Sequence, residues 1–163
     1  FTIDSGAHDD QTLQVIKHLN GKNVRVITNN AAAISIPRGA ATELIMVGGE
    51  HRGASHSLVG DLAVLSLSQV YGACAMLGTN GIDPQYGLTS SVYQETSVNR
   101  VMIERTRGQV IVLADHTKIG AVSDFETTAI ENVDTLITDD HVSSEMIDAF
   151  TKAGVHVLIA RSS

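Results

Sequence analysis

At 163 residues the chain is one domain's length, and a chain of this size buries roughly 70% of the surface its unfolded form exposes, enough to fold without staples. Apolar residues at 43% and charged residues at 18% exclude a disordered tail. The balance of 18 acidic against 11 basic side chains, a net charge of −7, supplies no basic face by which these residues would grip nucleic acid themselves.

One cysteine, Cys74, excludes an internal disulfide and fits a reducing compartment. No Cys/His cluster has zinc spacing, so neither a metal nor a cofactor is expected. The longest apolar runs are about five residues, as in Val110–Ala114, too short to span a membrane as a helix. The chain opens on Phe1 in what already reads as a strand, with no signal-peptide pattern. The expectation is a single domain over 1–163, cut from inside a longer protein.

In chain order, Phe1–Ile3 reads as a strand and Asp4-Ser5-Gly6 as its loop. A helix follows over about Asp9–Asn20, with Asp9 as N-cap, Leu13, Ile16 and Leu19 on its inner face and Gly21 as its stop. Val24–Thr28 is the next strand, Asn30–Ile36 a short Ala-rich helix ended near Pro37, and Glu43–Val47 a third strand. Glu50–Val59 reads as a loop or edge ribbon and Asp61–Val70 as a helix. Ala73–Leu77 is a buried strand running into Gly78-Thr79-Asn80-Gly81. Ser91–Arg107 is the longest helix, with a capping box from Ser91 to Gln94. Val110–Ala114, Thr135–Thr138 and Val155–Ile159 are further strands, and Ser143–Ala153 is a helix with Met146, Ile147 and Phe150 inward.

Apolar strands without alternation imply a sheet covered on both faces, and their alternation with helices implies parallel βαβ units. The expected fold is therefore α/β, a mostly parallel sheet flanked by helices. In such a sheet ligands bind outside the carboxyl ends of the strands. Small and polar residues follow five strands in turn: Asp4-Ser5-Gly6, Thr28-Asn29, Gly48-Gly49-Glu50, Gly78 to Gly81, and Asp115 to Lys118.

On the long helix, Glu95 precedes Val98 and Met102 by three and seven residues, which puts a carboxylate on the apolar face. Two readings remain open there: a helix-edge carboxylate reaching water, or an acceptor for ligand hydroxyls. Lys118 is either a solvated loop lysine or a cation at the same edge. His51 and His56 flank Arg52 in a Gly/Ser-rich stretch and read as solvated or core residues ahead of pocket residues.

The blocks Asp4-Ser5-Gly6, Thr28-Asn29, Val47-Gly48-Gly49-Glu50, Leu58-Val59-Gly60, Leu77-Gly78-Thr79-Asn80-Gly81-Ile82-Asp83, Gly87-Leu88-Thr89, Glu95 and Ala114-Asp115-His116-Thr117-Lys118 together resemble the effector-binding domain of DeoR-family bacterial transcriptional regulators. The resemblance implies a fold like ribose-5-phosphate isomerase and the CoA transferases. It also implies a sugar-phosphate sensor in a cytoplasmic repressor, a winged helix-turn-helix upstream that carries operator DNA binding, and a homo-oligomer. Matched residue by residue, it assigns ligand binding to Asp4, Ser5 and Gly6, continuing through Ala7 and His8, and to Asn29, Gly48, Gly49, Gly78, Asn80, Gly81, Glu95, Asp115 and Lys118.

Two departures stand out. Ala7 and His8 occupy positions where the family usually has hydroxyl residues, and Asn99 stands where it often has lysine, followed by Arg100. The expected ligand is a sugar phosphate or a less charged sugar derivative, with His8 or Arg100 supplying charge. The rival reading is an aldose–ketose isomerase with Glu95 as general base. The stretch Asp83-Pro84-Gln85-Tyr86-Gly87 lacks the lysine and glycine run that the resembled isomerases carry there, so no enzyme is expected.

Overall fold

The computed structural model describes residues 1–4, 11–37 and 39–160. Its centre is a sheet of seven parallel strands. The strands are β1 (Thr2–Ile3), β2 (Val24–Thr28), β3 (Thr42–Met46), β6 (Gly72–Gly78), β9 (Thr106–Leu113), β11 (Thr135–Asp139) and β12 (His156–Ala160). A hairpin of β4 (Glu50–Arg52) and β5 (Ser57–Val59) makes a second sheet. Strands β7 (Gly81–Asp83), β8 (Gly87–Ser90) and β10 (Phe125–Thr128) make a small antiparallel third. The helices are α1 (Gln11–Leu19), α2 (Asp61–Ser68), α3 (Tyr93–Glu104) and α4 (Ser144–Lys152).

The spatial order of the large sheet is β12-β11-β9-β6-β1-β2-β3. From β1 the chain runs outward through β2 and β3. It then returns to β6, on the other side of β1, and runs outward the opposite way. The order therefore reverses between β1 and β6, and an open parallel sheet holds its crevice at such a reversal. Asp4 leaves β1 there, its amide bonded to the Met76 carbonyl of β6 at 3.0 Å.

Both faces of the sheet are covered, as the unalternating strands require. Ile3, Ile16, Val26, Ala33 and Ile36 form one core cluster, with Leu13, Val15 and Leu19 of α1 packed against it. On the other side Leu77, Val98, Met102, Val112, Leu136 and Phe150 form the larger cluster. Thr28, fully buried, ties two strand ends together: its hydroxyl donates to the Ile3 carbonyl at 2.6 Å and accepts from the Asn30 amide at 3.1 Å.

Several expectations are corrected. The capping box does not form: α3 starts at Tyr93, its N-cap Val92 makes no side-chain bond, and Ser91 is drawn instead to Asn80. The helix also stops short of Arg107, because Thr106 and Arg107 join β9. The Ala-rich segment is a 3₁₀ turn, Ala31–Ser35, capped by the Asn30 side chain; five residues before Pro37 are too few for a lasting α-helix. The ribbon reading of Glu50–Val59 holds as the β4–β5 hairpin. The small third sheet has no counterpart among the expected elements. Its strands are three or four residues long, and one opens on Gly81 and another on Gly87. The expected N-cap Asp9 lies outside the described residues.

Candidate functional site

Helix α3 crosses the sheet reversal with Glu95 and Asn99 among its buried residues. Glu95 is 5% exposed and Asn99 also 5%, one helical turn apart. Thus Glu95 faces inward rather than reaching water. Its Oε1 accepts from the Ser55 hydroxyl at 2.7 Å and the Ser57 hydroxyl at 3.2 Å, both from the β4–β5 hairpin. Arg52 Nε, from the same hairpin, stands 3.5 Å from that oxygen. Asn99 Nδ2 donates to Asp4 Oδ2 at 3.2 Å, and Asp4 is 2% exposed. The other amide atom, Asn99 Oδ1, is buried with no hydrogen-bond partner among the described residues. A buried acceptor left unsatisfied costs about 1–3 kcal/mol.

The hairpin is held by the chain after β2. Asn29 is fully buried; its carbonyl accepts from the Leu58 amide at 2.8 Å, and its Nδ2 lies 3.4 Å from the Leu58 carbonyl. Gly49, with φ +141°, lies so close to the hairpin that a Cβ there would meet the Val59 carbonyl oxygen at 2.6 Å. A Cβ on Gly48 would meet nothing within 4 Å. Asp4 through Asn99, and Glu95 through the hairpin serines, are thus both held on α3, while Asn29 holds the hairpin at the carboxyl end of β2.

The loop after β6 is fixed mainly by its own side chains. Asn80 Oδ1 accepts from the Ser90 hydroxyl at 3.0 Å, the Ser91 amide at 3.1 Å and the Ser91 hydroxyl at 3.3 Å, which sets the entry into α3. Gly78 ends β6 against Leu113 of β9. Gly81 is pressed against Ala121, whose carbonyl a Cβ would overlap. This brings the chain just after Lys118 beside β7, and the Gly120 amide donates to the Ile82 carbonyl at 2.8 Å.

Asp115 and Lys118 sit further off. Strand register places Asp4 level with Val112, two strands away, and Asp115 lies three residues beyond that; two strand spacings are about 10 Å. Asp115 caps the 3₁₀ turn His116–Lys118, its Oδ1 accepting from the Thr117 amide at 2.8 Å and from the Thr117 hydroxyl. Burial raises the Asp115 carboxyl, but the Thr117 bonds and the charges of Lys118 and His116 outweigh it and hold the group below the usual carboxylate range. Asp115 lines a cavity of about 290 Å³ with Gln14, Thr138 and Asp139. Lys118 is half-buried at the end of its turn.

Arg100 does not supply charge to the site. Its guanidinium binds the Thr127 carbonyl at 3.2 Å and the Glu126 carbonyl of β10, away from the helix face that Asn99 turns to Asp4. His51 and His56 are exposed, their rings 6.0 Å apart. Ser5, Gly6, Ala7 and His8 lie outside the described residues. Asn99, Ser55, Ser57 and Arg52 join the cluster although sequence reasoning did not place them in it. Asn99 was signalled by its spacing, four residues after Glu95 on one helix face; the serines had no signal, since only the hairpin brings them in.

A doubly covered parallel sheet, with a buried acid–amide–acid cluster at its point of reversal, defines an α/β ligand-binding domain. Residues 2–140 match the family model of the DeoR C-terminal sensor domain, and the chain belongs to that family. It is similar to the HTH-type transcriptional regulator GolR of Listeria innocua, with 31% identity over 91% of this chain and 59% of that protein. It is also similar to the HTH-type transcriptional repressor GlcR of Bacillus subtilis, with 32% identity over 88% and 55%. A third relative is the glycerol-3-phosphate regulon repressor of Escherichia coli, with 30% identity over 84% and 54%. The chain spans a little over half the length of these relatives. They are transcriptional regulators, and no helix among the described residues is long and apolar enough to cross a membrane.

Proposed function

We propose that this domain binds a sugar phosphate or related polyol derivative in the crevice bounded by Asp4, Asn29, Asn99 and Glu95, and that binding controls the DNA affinity of the regulator to which it belongs. The observation that carries the reading is the buried Asn99 Oδ1, unpartnered among the described residues and held beside the Asp4 carboxylate at the sheet's reversal. Carboxylates and an amide oxygen suit hydroxyl donors, each oxygen taking a different O–H. The name of the glycerol-3-phosphate regulon repressor supports a small phosphorylated polyol as the ligand class. Ser5, Gly6, Ala7, His8, Gly48, Gly49, Gly78, Asn80, Gly81, Asp115 and Lys118 complete the proposed ligand-binding set. Its anion-binding share falls to the backbone at Gly6 and to Lys118, because the Gly81 amide already donates to the Thr79 hydroxyl at 3.2 Å.

In this reading the operator is held by a winged helix-turn-helix elsewhere in the protein, in a cytoplasmic homo-oligomer. The ligand shifts the balance between DNA-competent and incompetent arrangements through its differential affinity for them. The domain is a sensor and no enzyme. Glu95 Oε1 already accepts from two serine hydroxyls, which suits a fixed acceptor better than a base that must take a substrate proton.

The test is calorimetric titration with ribose 5-phosphate, glycerol 3-phosphate, glucose 6-phosphate and the corresponding unphosphorylated compounds. At least one should bind. Hydrogen bonds to charged groups contribute about 1.5–3 kcal/mol, so Asp4→Asn or Glu95→Gln should weaken that ligand roughly 10- to 150-fold. Binding unaffected by both variants would move the ligand elsewhere. Turnover of ribose 5-phosphate that Glu95→Gln abolishes would replace the sensor with the isomerase.

A further inference from the structure

We propose that His116, Asp139 and His141 form a binding site for one divalent transition-metal ion of the zinc type. The donors come from the ends of two neighbouring strands. His116 opens the turn after β9, Asp139 ends β11, and His141 follows two residues later. Each offers one ligand atom, and these atoms all lie within 4.8 Å of one another. His116 Nδ1 is 3.1 Å from both carboxylate oxygens of Asp139, and His141 Nδ1 is 3.2 Å from Asp139 Oδ1. Three protein donors leave the fourth position of a tetrahedral site to water, and both imidazole rings face solvent. With metal–ligand bonds of about 2.0–2.2 Å, the edge of a tetrahedral site is about 3.3–3.6 Å. Each imidazole–carboxylate pair thus needs to spread only slightly, all three donors already lie within 4.8 Å of one another, and the nitrogen–oxygen set is one that zinc accepts.

The carboxylate is anchored independently of the imidazoles. The His116 amide donates to Asp139 Oδ2 at 2.8 Å and the His141 amide to Oδ1 at 2.9 Å. Outer-shell donors of this kind orient a ligating group before the ion arrives. Burial raises the Asp139 carboxyl, but the two amides and the His116 ring outweigh it and hold the group well below the carboxylate range. The two rings sit 5.0 Å apart on this single carboxylate. Both rings are exposed, so an ion reaches them from solvent.

Sequence spacing conceals the site, since His116 and Asp139 stand 23 residues apart and meet only because β9 and β11 pair. The site is separate from the Asp4–Asn99–Glu95 cluster and does not depend on the ligand proposed for it. An ion here would tie the turn that carries Asp115 and Lys118 to the end of β11.

The test uses tag-free protein stripped with a chelator and titrated with zinc chloride against a chromophoric competitor. One zinc per chain should bind, and His116→Ala and His141→Ala should each weaken it by at least the roughly 10- to 100-fold that lost outer-shell partners cost. His18→Ala, an exposed histidine on α1, should leave it unchanged. Zinc should also raise the melting temperature of the parent and not of the His116→Ala/His141→Ala double variant, whose circular dichroism should match the parent's. The proposal fails if no zinc binds at stoichiometric concentration. It fails equally if the double variant binds zinc as tightly as the parent, which would put the ion at His51 and His56 or another surface.

Discussion

Replacing Thr28 by valine keeps the shape of the side chain and deletes one hydroxyl, at a position with no exposure to solvent. That hydroxyl donates at 2.6 Å to the Ile3 carbonyl and accepts at 3.1 Å from the Asn30 amide, so it joins the ends of β1 and β2 just before Asp4 and Asn29. The donated bond contributes about 0.5–1.5 kcal/mol, and stranding the Asn30 amide costs about 1–3 kcal/mol. The added methyl recovers about 0.8 kcal/mol by its burial. The net loss is about 1–3 kcal/mol, which for a domain of this size lowers the melting temperature by roughly 2–12 °C. Urea denaturation followed by circular dichroism measures it, the midpoint falling with an unchanged slope. A variant within about 0.5 kcal/mol of the parent, the range of an ordinary surface substitution, would refute the view that this hydroxyl holds the two strand ends together.

Gly49→Ala should destabilise the domain by about 1–3 kcal/mol, because its Cβ would meet the Val59 carbonyl at φ +141°; Gly48→Ala, with open space around it, serves as the mild comparison in the same melts. Phe150→Ala, at a fully buried side chain, should cost about 3–5 kcal/mol by chemical denaturation. Burial, with Asp134 nearby, raises the Cys74 thiol; alkylation by iodoacetamide at pH 8 should be slower in the folded protein than after unfolding, and equal rates would contradict it. Asp139 and Asp115 are both held below their unfolded values, so they add stability that is complete above about pH 4 and is lost as pH falls through their folded values. Asp139→Asn should flatten the acid side of the stability–pH curve below about pH 4.

Much of this architecture is local in origin and was legible in the residues. Val24–Thr28 matches its strand to the residue, and Ser143 and Gly154 bound α4 as N-cap and stop, because these signals act over a few positions. The spacing of Glu95 to Val98 and Met102 put a carboxylate on the apolar helix face but left open whether it reached water, and only the packed structure buries it. The family blocks, including Asp4, Asn29 and Glu95, likewise stand in the sequence as short motifs. Pairing over long separations was not legible there. The Ser91–Gln94 capping box satisfied the local pattern and still lost, since Asn80, eleven residues before Ser91, offered a competing acceptor. The β7–β8–β10 sheet escaped because its strands are too short to show a period and close only against one another. Arg100 could be assigned to its carbonyls only once α3 lay against β10. The same holds for Ser55 and Ser57 on Glu95, and for His116 and His141 on Asp139. Hydrophobic period and capping are written in neighbouring residues, whereas which polar groups share a carboxylate depends on strand order and register, and these are decided only when the chain closes on itself.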